Sequence, residues 1–307
     1  MIYKYNLIII FIITYFIFIY IKLYQNKRKV CICTIGKKEN LYAREYVEYY
    51  KNKGIDKIFI YDNNDKNDER FDIILKDYIE NGFVEIIDYR GEFSPQIKSM
   101  EDCRKNNYKY FDWLIFVDMD EFIFLRYFSN IKGFLYQNIF DKCQRIQLNW
   151  FFHTDNNLIL YDNRSLAERF PKKHKIWANK KIGGIEGIKS ILRGNIDYKI
   201  HNPHYLNSSL ISCDGFGKIK TIQGITTNES DHFYNYIDHY WSKSTEEFTI
   251  KLMKGDVAIK NNATYILKKI NMYFSLCEIN EDKINYLENK TKLNLTEYRI
   301  ILQKKKR

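Results

Sequence analysis

The feature that most limits what this chain can fold into is a rhythm of short apolar runs. Each run ends in a polar turn and is followed by a helical segment. Val30–Ile35 reads VCICTI, Lys57–Tyr61 reads KIFIY, and Trp113–Val117 reads WLIFV, with Val84–Ile87 as a shorter member of the set. Runs this short and apolar on both faces are buried strands of a parallel sheet. Between them, Asn40–Lys53 carries Leu41, Tyr42, Tyr46, Val47 and Tyr50 at helical spacing and stops at Gly54. Phe71–Asn81, closed by Gly82, and Gln96–Tyr108 predict two further helices. Strand and helix alternating at this pitch predict an α/β fold, with helices covering both faces of a mostly parallel, Rossmann-like sheet. In such sheets ligands bind outside the carboxyl ends of the strands. After Phe124 the pattern is irregular, and from about Ile237 it is mostly helical. Residues 30–245 therefore read as one domain and 246–307 as a helical extension ending in the basic tail Lys304-Lys305-Lys306-Arg307.

The first 29 residues read as a membrane anchor. Leu7 to Ile21 carries no charge, and Leu23 and Tyr24 extend the stretch (7–24) towards the roughly 20 residues that cross a bilayer. Tyr3, Tyr5, Tyr20 and Tyr24 stand where interfacial aromatics anchor a span. No small-residue cleavage site follows, so an uncleaved single-pass anchor is expected rather than a signal peptide. Its orientation is left open by two opposed signals. Lys22, Lys27, Arg28 and Lys29 after the stretch favour a cytosolic domain. Six Asn-x-Ser/Thr sequons, at Asn163, Asn207, Asn228, Asn262, Asn289 and Asn294, favour a lumenal one. Cys31 and Cys33 share a strand face and read as small core residues. Cys103, Cys143, Cys213 and Cys277 show no metal-ligand spacing.

Basic residues number 49 against 38 acidic, a net charge of +11, but 37 of the 49 are Lys and they are scattered. Nucleic-acid surfaces cluster their charge and favour Arg, so no nucleic-acid partner is expected. The sharpest chemical feature is Phe116-Val117-Asp118-Met119-Asp120-Glu121-Phe122. Two carboxylates one residue apart at the end of a buried strand point the same way along the pleat. Such a pair suits a hard divalent cation that also takes phosphate oxygens, and without a cation the two charges would raise each other's pKa.

Several ordered elements, from residue 30 to about 256, resemble glycosyltransferase family 92 and its neighbours in the family 2 superfamily of GT-A fold. They begin with Lys38-Glu39-Asn40, Tyr46–Tyr50 and Gly54-Ile55-Asp56, and continue with Tyr61–Asp65 and Gln96 with Asp102-Cys103. Trp113–Phe122, Asn149–Phe152, Glu168-Arg169-Phe170 and Lys189–Arg193 follow. The last are Asn202-Pro203-His204 and His239–Phe248. One departure is His153 after Phe152, where the family has Gly.

The resemblance implies a nucleotide-sugar-dependent hexosyltransferase, with a UDP-sugar as donor, and a glycan, glycolipid or glycoprotein acceptor. It implies that Asp118 and Asp120 hold Mn²⁺ or Mg²⁺, completed by a later histidine, with His239 preferred over His204. Thr34, Asp62 and Gln96 would bind the donor, and Lys243 would meet a phosphate as a point charge. Inversion requires a carboxylate base, for which Glu186 is preferred over Asp214. Glu246 and Glu247 read instead as first-turn and cap residues of the helix that follows them. Two other functions use the same features. A metal-dependent phosphoryl-transfer or hydrolytic enzyme would use the same Asp pair, but no P-loop accompanies it. A basic membrane-tethered binding protein would use the charge alone.

Overall fold

The computed structural model describes residues 11–16, 28–93, 95–174, 187–204, 206, 209–220, 234–254 and 262–305. The expected anchor, 7–24, falls largely outside them. Among the described residues no helix is long and apolar enough to cross a membrane.

One ten-stranded sheet organises the chain. β1 (Val30–Gly36), β2 (Lys57–Asp62), β3 (Val84–Asp88) and β4 (Trp113–Phe116) form its first half in the order β3-β2-β1-β4, all parallel. This is the half that the apolar runs predict. The second half departs from the expected mostly parallel sheet. β7 (Ile188–Arg193) runs antiparallel to both β4 and β6 (Arg145–Phe152). β10 (Asn235–His239) is parallel to β6 but antiparallel to β5 (Glu121–Leu125). β5 follows β4 after a turn of four residues but does not pair with it; it lies at the far edge of the sheet, against β10. The short strands β8 (Ser212–Cys213) and β9 (Ile219–Lys220) extend the sheet beyond β6.

Alternate residues of each parallel strand feed two cores. Val30, Ile32, Ile58, Ile60, Trp113 and Ile115 pack with the helix Asn40–Asn52. Cys31, Cys33, Phe59, Leu114 and Phe116 pack with the helix Gln96–Asn107. Cys31 and Cys33 do share a face, but Cys33 is not a simple core residue. It forms a disulfide with Cys103 of the Gln96–Asn107 helix, and a second disulfide joins Cys143 to Cys213. The expected helix Phe71–Asn81 divides into Phe71–Ile74 and Lys76–Glu80, separated at Leu75.

The C-terminal helices Thr245–Lys254, Ala263–Leu276, Glu281–Thr291 and Thr296–Lys305 pack onto the first core. Phe248 stacks on Tyr273 with centroids 4.2 Å apart. Below them Asp155, fully enclosed, accepts from Tyr273 Oη at 2.6 Å and pairs with the buried Lys283 ammonium at 2.5 Å. These contacts hold the Thr245–Lys254 helix over the carboxyl ends of the strands.

Candidate active site

A cavity of about 450 Å³ opens at the carboxyl ends of β1 and β4. Asp118, Asp120, His204 and His239 line it, together with Gln96. Gly36, at the end of β1, is required there. A Cβ at that position would meet the Phe71 ring at 2.7 Å and the Met119 side chain at 3.0 Å.

The acidic loop is fixed by its own backbone. Asp118 N–H donates to Glu121 Oε2 at 2.8 Å, and Glu121 N–H donates to the Asp118 carbonyl at 3.0 Å. This closes the turn between β4 and β5 and turns both aspartates into the cavity. Each carboxylate is already faced by an ammonium group. Lys189 Nζ lies 2.8 Å from Asp118 and 3.6 Å from Glu121; Lys251 Nζ lies 2.8 Å from Asp120. Burial alone would raise the pKa of Asp120, but Lys251, His239 and Lys243 outweigh it and hold the group well below the usual carboxylate range. For Lys189 burial works against the charge, yet Asp118 and Glu121 lift it to about 12. Glu121 behaves oppositely: fully enclosed, it is pushed up by burial.

His239 is stacked on Phe152 and sits 4.5 Å from the Trp150 ring centroid. Its Nε2 faces Asp120 at 3.5 Å and Glu121 at 3.9 Å, and burial lowers its pKa. His204 Nδ1 lies 3.2 Å from the Ile188 carbonyl, and burial brings its pKa down to about 4. Both rings are therefore neutral near pH 7, the form in which imidazole binds metals.

No three His, Cys, Asp or Glu side chains among the described residues stand close enough together to hold an ion as they are. The donor set nevertheless has the right chemistry for Mn²⁺ or Mg²⁺: two carboxylates and neutral imidazoles on one cavity wall. The ammonium groups of Lys189 and Lys251 occupy the positions beside the carboxylates where positive charge is wanted.

The other expected site residues are distributed unevenly. Gln96 lines both the cavity and a small recess beside it, which Thr34 also lines. Asp62 does not face the cavity. Its Oδ1 accepts from Asn64 in its own turn, and its Oδ2 pairs with Arg90 at 2.6 Å, while its neighbour Asn63 lines the cavity instead. Lys243 is buried, at φ 52°, with its Nζ 3.2 Å from Glu39, 4.0 Å from Asp120 and 3.5 Å from the Tyr42 ring centroid. It braces the acidic residues from behind rather than facing the cavity. Asp214 is enclosed in a turn after β8, accepting from Phe216 and Lys218 N–H groups, and is not on the cavity wall. Glu186 lies outside the described residues.

Sequence reasoning missed Glu39, Lys189, Lys251 and Lys254 as site residues. Glu39 lines the cavity, and burial, which would raise its pKa, is outweighed by Lys243 and Lys254, so it stays ionised. Lys254 reaches it at 2.5 Å and also donates to the Lys37 carbonyl. The available signal was the spacing of Lys251 and Lys254, three residues apart on one helix face.

Glycosyltransferase family 92 matches this sequence over residues 27–260, most of the chain. The chain belongs to glycosyltransferase family 92. A family 92 protein of Ricinus communis is 28% identical over 105 residues, which is 33% of this chain and 18% of that protein. The chain thus aligns with less than a fifth of this relative's length. Among solved structures, S. aureus TarS 1-349 in complex with UDP-GlcNAc covers 85% of this chain and 79% of its own, at 11% identity and a TM-score of 0.41. A second TarS structure aligns with a TM-score of 0.40 over 85% of this chain and 48% of the other.

Proposed function

We propose that this family 92 chain is a glycosyltransferase that moves a hexose from a UDP-sugar to a hydroxyl group of a glycan, lipid or protein, with inversion at the anomeric carbon. The observation that carries the reading is the meeting of Asp118 and Asp120 with Lys251 and Lys254 on one cavity wall at the strand ends. A nucleotide-sugar presents a diphosphate, and its departure develops negative charge on the β-phosphate. Carboxylates and ammonium groups in one enclosed wall suit that charge if a cation bridges the acids.

Asp118, Asp120 and His239 or His204 would hold Mn²⁺ or Mg²⁺, which when bound supplies Lewis-acid assistance to the departing nucleoside diphosphate. Lys251, whose Nζ lies 2.8 Å from Asp120 on the cavity wall, would donate from its ammonium to a phosphate oxygen of the donor. Lys254 and Glu39 keep the entrance charged and ordered. Lys243 positions Glu39 and Asp120 without touching the donor. Gln96 lines the cavity, where it would meet the donor, and Thr34 lies in the small recess beside it. Glu186 takes the proton from the acceptor hydroxyl as it attacks. The stretch 7–24 tethers the enzyme to a membrane, where a glycolipid or glycoprotein acceptor is met.

A donor screen tests this. Full-length protein is incubated with a panel of nucleotide-sugars and mixed glycan and glycolipid acceptors, and nucleoside diphosphate release is followed together with product mass. A UDP-hexose is expected to give product whose mass rises by one hexose. Glu186→Gln should keep donor binding and lose transfer. Release of phosphate with no sugar moved would overturn the reading.

A further inference from the structure

Two sets of residues stand outside the cavity lining among the described residues: the cysteines and four of the sequons. Cys33–Cys103 ties β1 to the Gln96–Asn107 helix, with Cα atoms 6.2 Å apart. Cys143–Cys213 ties the entry of β6 to β8, with Cα atoms 5.7 Å apart. Cys31 and Cys277 are free thiols, both buried. Each disulfide spans 70 residues of sequence and joins separate elements of the sheet domain. Disulfides of this structural kind persist where the surroundings are oxidising and are rare in a reducing cytosol.

The sequons give an independent indication. Asn163, Asn262, Asn289 and Asn294 are the four within the described residues, and all four are exposed. Asn163 lies just before the helix Leu166–Arg169, Asn262 caps the helix Ala263–Leu276, Asn289 is on the helix Glu281–Thr291 and Asn294 is in the segment after it; none of the four is a cavity-lining residue. Asn262, Asn289 and Asn294 accept hydrogen bonds at Oδ1, from Tyr265 N–H, Lys292 Nζ and Thr296 N–H respectively. The atom to which a glycan is joined is the other one, Nδ2. The basic residues after the apolar stretch point to the opposite side of the membrane, but long domains translocate largely regardless of flanking charge.

We infer that the domain from residue 28 onward faces an oxidising, non-cytosolic compartment, and that Asn163, Asn262, Asn289 and Asn294 are acceptors for N-linked glycans there. Each disulfide forms when two thiols give up two protons and two electrons to the disulfide of an oxidised dithiol catalyst, which becomes a dithiol. Each glycan is added when Asn Nδ2 bonds to C1 of a sugar carried on a lipid diphosphate. The lipid diphosphate leaves, and the amide proton passes to a base of the transferring enzyme. This inference does not depend on which donor the active site uses.

The test uses the full chain expressed in a eukaryotic cell with an intact secretory pathway. Protein is denatured under thiol-trapping conditions and tagged with a maleimide polymer before and after reduction, and separate samples are treated with peptide N-glycosidase. Two tagged thiols before reduction and six after are expected, as only Cys31 and Cys277 are unpaired. Glycosidase treatment is expected to increase mobility and to convert the four asparagines to aspartate, read by peptide mass spectrometry. Asn→Gln at the four positions together should move the untreated band towards the mobility of the glycosidase-treated protein. Six tagged thiols without reduction would overturn the compartment. Two tagged thiols with unmodified peptides at all four asparagines would overturn their assignment as glycan acceptors.

Discussion

The buried pair Arg169–Glu247 joins the middle of the chain to the helix that covers the active site, and its loss should be costly. Their side chains are 2% and 1% exposed, and Arg169 Nη1 lies 2.7 Å from Glu247 Oε2. Glu247 also accepts from Tyr42 Oη at 2.5 Å and from Ser244 N–H at 3.0 Å, while its own N–H faces Ser244 Oγ at 3.3 Å. Ser244 and Glu247 thus form a reciprocal cap on the Thr245–Lys254 helix, the cap role that the sequence indicates for Glu247. Glu247→Gln keeps the shape but leaves the Arg169 guanidinium without a charge partner in an enclosed site. Breaking a buried pair by removing one charge costs about 3–5 kcal/mol. Urea unfolding followed by tryptophan fluorescence, with disulfides intact, reads this as a fall in midpoint at unchanged slope. Arg169→Met combined with Glu247→Gln should recover part of the loss, because the stranded charge is gone. A single-variant cost below about 1 kcal/mol, typical of exposed pairs, would refute the argument. So would strict additivity in the double variant.

Other consequences are open to direct measurement. Lys251→Met removes the ammonium that we assign to a phosphate oxygen; donor KM should rise about 10- to 100-fold, the equivalent of one charge-assisted hydrogen bond, with an unchanged KM counting against the assignment. Opening the Cys143–Cys213 loop of 70 residues, by replacing both cysteines with Ser, should lower stability by about 4 kcal/mol in the chain-entropy account, visible in the same urea titration. The His204 pKa is depressed in the fold, to about 4, so the neutral ring stabilises the native state above the unfolded value near 6.5. That contribution is lost as pH falls from about 6.5 towards 4, because the unfolded chain binds the proton first; His204→Gln should flatten thermal stability in that window, and an unaltered profile would contradict it.

The parts of the fold legible in the sequence are those whose signal is local. β1, β2 and β4 are apolar on both faces because helices cover both, and their runs are visible without any partner. The helices Asn40–Asn52 and Gln96–Asn107 follow from spacing and from Gly54, which takes φ +80° after the first. The second half of the sheet was not legible, since β6, β7 and β10 find each other across stretches of 35 or more residues by packing rather than by pattern. The disulfides were invisible for the same reason: Cys33 and Cys103 are neighbours only once the Gln96–Asn107 helix lies on β1. In the site, Asp118 and Asp120 stand out because charges at the end of an apolar strand are conspicuous. Lys251 and Lys254 do not, because a lysine on a helix is ordinarily solvated, and only the fold turns this face inward. Lys243 shows the reverse case: its motif suggests a phosphate contact, whereas its backbone is left-handed and its ammonium lies against Glu39 and the Tyr42 ring.

The central claim is that the acidic turn after β4 grips a divalent cation against the diphosphate of a sugar nucleotide. Calorimetric titration of the full chain with a UDP-sugar, with Mn²⁺ present and then removed by chelation, tests it most directly when run beside Asp120→Asn. The account predicts saturable binding with Mn²⁺, and a loss of at least tenfold in affinity both on chelation and in the variant. Equal affinity in all three titrations would contradict it.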